Sequence, residues 1–179
     1  MSDPTGTTAR PITVQITVTL TAVVHPEEGG GYSAEVLMAD VDVALAELGP
    51  STVVGRGLGA YIALLIAGAR PQLVRGAVLC DGPGLFGGGL GPTSATVLTV
   101  DHEDGHKPDP WPQAELSLDV RPPDYATSFA RAALQLSGLA WPLAVCARWR
   151  APWLEAVAAE PGVLDMDLEE AVRYYSNQS

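Results

Sequence analysis

The residues able to do chemistry fall in a few short stretches. Gly55-Arg56-Gly57-Leu58-Gly59-Ala60 follows Val53-Val54 and precedes a long apolar run. A glycine turn between strand and helix can offer backbone amides to a phosphate. Gly55-x-Gly57-x-x-Ala60 also fits the G-x-G-x-x-A dinucleotide fingerprint, with Arg56 as an added cation. Asp81, after the next apolar run, stands where a ribose-binding acid belongs. Against nucleotide binding at this turn, the usual order of strands around the motif is missing and the acidic chain repels anions. The plain alternative is that the glycines only permit a tight strand-to-helix crossover.

Cys80-Asp81 closes an apolar run, at the strand end where open α/β sheets bind ligands. A reactive thiol needs a base or cation beside it, and the sequence shows none near Cys80. Cys80 and Cys146 both sit in apolar runs (AVLCDG and LAVCAR) and read as core thiols of a reducing cytoplasm. Arg148, Trp149, Arg150 and Trp153 can grip a small carboxylate ligand or an acidic partner by bidentate bonds and stacking. Internal pairing with the abundant acids is the open alternative. His102 and His106 have a zinc-like spacing, but Gly105 and the following KPDP make a solvated acidic loop, so no metal and no cofactor is expected. His25, before Pro26, reads as an exposed turn residue.

These residues need elements to position them. Residues 1–11 read as a loose tail. From Ile12 to Val24 apolar residues alternate with threonines, a strand pattern. HPEEGGG breaks it and Tyr32–Met38 alternates again, so Ile12–Met38 reads as a β-hairpin. After Met38 the period changes: Val41, Ala44, Leu45 and Leu48 predict a helix capped by Asp40 and stopped at Gly49-Pro50. Next come a buried strand over Ser51–Val54, the glycine turn, a helix over Ala60–Ala69 and a strand over Val74–Cys80. Residues 81–94 read as a glycine-rich loop, and Ala95–Val100 as a short strand. Tyr125–Leu136 is a helix with Phe129, Ala132, Ala133 and Leu136 on one face. Pro142–Ala147 is a strand, Pro152–Glu160 a helix, Gly162–Leu164 a last strand and Leu168–Tyr175 a helix capped by Asp167. This is a mostly parallel α/β core over residues 39–179 with helices on both faces, preceded by the hairpin of residues 12–38.

Strand, glycine turn and helix together resemble the nucleophile elbow of α/β-hydrolases, a G-x-S-x-G turn that lifts a serine above the sheet. The resemblance covers residues 39–165. DVDVALAELGPSTVVGRGLGAYIALLIAGARPQLVRGAVLCDGPG follows that family's order of helix, strand, elbow, helix, turn, strand and loop. PLAVCARWRAPWLEAVAAEPGV resembles its later strand, where the catalytic acid sits. The resemblance implies the fold but not the chemistry. The nucleophile position is Gly57, the acid's stretch reads Cys146-Ala147-Arg148-Trp149-Arg150, and no histidine follows His106. All three members of the relay are missing. A weaker resemblance joins residues 20–36 (LTAVVHPEEGGGYSAEV) to the first hairpin of HicB-type antitoxins.

Composition bounds the rest. Hydrophobic residues make up 47% and charged residues 17% of the 179-residue chain, enough for a core. The net charge of −11, with a single lysine, Lys107, excludes a nucleic-acid binder. No apolar run spans a membrane and no leader pattern opens the chain, so a cytoplasmic protein is expected. The expected function is non-catalytic binding or assembly, with a pocket at the strand ends built from Gly55, Arg56, Gly57, Leu58, Arg148, Trp149 and Arg150. The rival is a small-molecule hydrolase or acyl-processing enzyme using Cys80, Asp81 or a loop histidine. The unblocked hairpin predicts a homodimer joined through Ile12–Met38.

Overall fold

The computed structural model describes residues 33–87 and 119–177. The first strand of the expected hairpin, the Ala95–Val100 strand and the histidine-bearing stretches lie outside them. The order is α1 (Ala34–Leu48), β1 (Ser51–Arg56), α2 (Leu58–Ala69), β2 (Val74–Cys80), α3 (Pro123–Leu136), β3 (Leu143–Cys146), α4 (Pro152–Ala158), β4 (Val163–Asp165) and α5 (Leu168–Ser176). The strands form one parallel sheet in the order β1-β2-β3-β4. This is an α/β architecture with flanking helices.

The first helix corrects the sequence reading. Ser33 caps α1, accepting from the Val36 amide at 3.4 Å, and the Asp119 carboxylate accepts from the Ala34 amide at 3.3 Å. Residues 34–38 are therefore helical, not the second strand of a hairpin, and Asp40 lies inside the helix instead of capping it. A boundary at residue 39 falls within α1. The physical reason is the longer period: Ala34, Met38, Val41 and Leu45 recur at helical spacing and all meet the core. A seven-residue alternation loses to an apolar stripe that buries more area.

Every second strand residue points to the same face. Ala77, Leu79, Leu143 and Val145 pack under α2, α3 and α4, whereas Val78, Cys80, Ala144 and Cys146 lie under α5 with Ala171 and Tyr175. Helix α2 is buried from Ala60 to Ala67, as an all-apolar helix between a sheet and other helices must be. Helix α3 turns Ala126, Ala130 and Ala133 inward, while Leu136 is 57% exposed. The expected Phe129–Leu136 face is thus rotated, because alanines let two helices approach where larger side chains cannot. Strand β1 is different from its neighbours. Among the described residues it pairs only with β2, and Thr52, Val54 and Arg56 are exposed.

Candidate functional site

The C-terminal ends of the parallel strands gather the residues singled out in the sequence. At the end of β1, Gly57 is buried with φ 60° and ψ −124° and forms the N-cap of α2. The positive φ is a backbone conformation that favours glycine. A side chain at Gly55 would overlap the Gly59 carbonyl and lie 2.7 Å from the Ala60 Cα, so strand and helix touch backbone to backbone.

The space above Gly57 is filled. A Cβ there would overlap the Pro83 carbonyl oxygen and stand 2.6 Å from the Gly82 carbonyl carbon. The Leu58 amide donates to the Pro83 carbonyl at 2.9 Å, and the Gly57 amide to the Cys80 carbonyl at 3.1 Å. In an elbow, the amide after the nucleophile is half of the oxyanion hole. Here the chain's own loop holds it, and the same bond occupies an amide that a nucleotide phosphate would use.

Three further contacts pin that loop. Trp153 Nε1 donates to the Leu85 carbonyl at 2.9 Å, and its ring meets Tyr61 edge-on at 5.0 Å. Arg121 Nη1 donates to the Leu85 carbonyl at 2.9 Å and also to that of Gly84. The Arg121 guanidinium sits 5.2 Å from the centre of the Tyr61 ring, and its Nε and Nη2 have no partner among the described residues. Burial lowers the Arg121 pKa and pushes the Tyr61 hydroxyl up to about 12. Trp153 is therefore a core residue, not part of a recognition cluster.

Asp81 is held, too. Its two oxygens accept from the Arg148 amide at 2.6 Å and the Trp149 amide at 3.1 Å, tying the loop after β3 to the end of β2. A carboxylate in that position organises backbone. The same two bonds set Arg148 and Trp149 facing outward, and Trp149 is 75% exposed.

A cleft of about 690 Å³ opens beyond β3 and β4, between Cys146, Arg148, Arg150, Glu155, Asp165 and Met166. Arg150 is engaged there, with Nη2 2.7 Å from the Asp165 carboxylate and Nε donating to the Ala147 carbonyl. Asp167, also on the wall, accepts from the Glu170 amide at 2.8 Å as the cap of α5. Of the predicted binding residues, Arg148 and Arg150 line this cleft, whereas Gly57 and Leu58 lie under the loop, Gly55 packs on the start of α2 and Arg56 is exposed.

Sequence reasoning missed Pro83, Arg121 and the pairing of Cys80 with Cys146. The glycines around Pro83 marked a loop but not its direction. Arg121 follows no pattern that would announce burial. Among the described residues no group of three or more histidine, cysteine or acidic residues could hold a metal, and no helix is long and apolar enough to cross a membrane. No family model and no curated protein matches the chain.

Proposed function

We propose that this is a non-catalytic binding protein on a shortened α/β-hydrolase-like core, its ligand held in the β3–β4 cleft and not at the elbow. The observation that carries the reading is the Pro83 carbonyl, which fills the nucleophile's place and engages the Leu58 amide. A hydrolytic site needs both free, since oxyanion donors must face the reacting carbonyl. The cleft has the Arg148 and Glu155 side chains on its wall. It suits a small polar ligand carrying a carboxylate for Arg148 and a donor for Glu155. The test pairs two measurements on the purified chain: turnover of p-nitrophenyl acetate with fluorophosphonate labelling, and a thermal-shift screen of small carboxylates and zwitterions. The reading expects no turnover above buffer, no label in the Gly55–Gly59 peptide, and stabilisation by at least one zwitterion. Labelling of that peptide sinks it.

The assembly part of the reading is a homodimer. Its support is β1, whose edge has no partner among the described residues and whose Thr52, Val54 and Arg56 are exposed. Such edges recruit another strand unless blocked. The residues preceding Ser33 supply the alternating threonine-rich segment for this pairing. Light scattering at micromolar concentration is expected to give about twice the chain mass, and replacing Val18 and Leu20 by lysine to abolish the dimer. A well-folded wild-type monomer overturns it.

A further inference from the structure

Cys80 ends β2 and Cys146 ends β3, and the two are register partners in the parallel ladder. Both belong to the sheet face under α5, packed with Val78, Ala144 and Tyr175. Neighbouring strands run about 4.8 Å apart, inside the roughly 4.4–6.8 Å Cα separation that disulfides span. Each cysteine is the last residue of its strand. Arg56 is the register partner of Cys80 on its other side, which sets a cation, a thiol and a second thiol in one row across the sheet. Cys80 is 4% exposed, and Cys146, half-buried, lines the cleft and gives small molecules a route to the pair.

We propose that Cys80 and Cys146 form a reversible redox pair that closes to a cross-strand disulfide when the protein meets a peroxide. Cys80 is the attacking sulfur. The neighbouring Cys146 thiol and the positive charge of Arg56 both lower its pKa, against the opposing effects of burial and Asp81. Cys146 is shifted the opposite way by the same contact and by burial, so it holds its proton until the second step. The Cys80 thiolate takes one peroxide oxygen, the O–O bond breaks, and the other oxygen leaves and is protonated to water. The Cys146 sulfur then attacks the sulfenic sulfur, forming the S–S bond as the sulfenic oxygen leaves with the Cys146 proton as a second water. Two thiols lose two electrons and two hydrogens, and hydrogen peroxide is reduced to two waters. The disulfide would tie β2 to β3 beside the cleft.

The full wild-type chain tests this directly, since it has two cysteines. After brief peroxide treatment under native conditions, the intact mass should fall by two hydrogens. Both thiols should resist maleimide after unfolding, and a reductant should restore them. Cys146→Ser should instead leave a sulfenic acid on Cys80 that a dimedone-type reagent traps. Two maleimide-reactive thiols after peroxide would overturn the proposal. So would addition of two oxygens without the disulfide species, or a covalent dimer as the main product.

Discussion

Above β1 and β2, the loop after Cys80 folds onto the glycine turn, and its Pro83 carbonyl engages the Leu58 amide. Beyond β3 and β4 the loops turn outward, held by Asp81 and the Arg150–Asp165 pair, and leave a cleft. The two halves share one parallel sheet and one kind of strand-to-helix connection. They differ in whether a loop folds over the strand ends or leaves a cleft beside them. A fold thus supplies several candidate sites along one sheet edge, and the loops decide which stay open.

The largest break in this contrast should come from Gly57→Ser. The positive φ costs a serine about 1–3 kcal/mol, and displacing Pro83 adds an overpacking cost of roughly 1–3 kcal/mol. Chemical denaturation should show a loss of that combined size with no ester turnover gained. A stable, active variant would mean the loop is no plug. Asp81→Ala comes next, because it strips the acceptor from two backbone amides, at about 1–3 kcal/mol. It should also loosen the Arg148–Trp149 turn, read as greater proteolytic cleavage there.

On the open side, Arg148→Ala should change stability by no more than about 0.5 kcal/mol. It should nevertheless remove the thermal shift given by whichever carboxylate stabilises the wild type. Equal shifts in both proteins would place the ligand elsewhere. The smallest effect concerns ion pairs remote from both sites. Asp42 beside Arg70 and Glu160 beside Arg131 have carboxyl pKa values held below the usual range by those guanidinium groups. A lowered folded-state pKa stabilises above the unfolded value, and the contribution fades as pH falls through the folded one. Glu160→Gln should therefore melt slightly below wild type at neutral pH, with the gap closing in acid. A gap that widens in acid would contradict the assignment.

Much of the core was legible beforehand. Val74–Cys80 forms the strand its mostly apolar sequence predicts, and Asp167 caps the last helix as its position suggests. The glycine turn was legible as a link between strand and helix. Legibility failed where two periods competed, as at Tyr32–Met38, and where a helix offered two apolar faces, as in α3. It failed entirely for Arg121, whose burial depends on a loop and a tyrosine ring far away in sequence.

The sequence by itself determined the sheet's run of parallel units, because apolar periodicity, glycine turns and caps act over a few residues. It also determined that Gly57 carries no nucleophile. Only the tertiary structure decided that Pro83 fills the space above Gly57, that Asp81 holds the turn after β3, and that Cys80 faces Cys146. Those facts join residues from separate strands and loops, some more than sixty positions apart. Such contacts are set by strand register and loop direction, which the packing of the whole sheet fixes and no local pattern encodes.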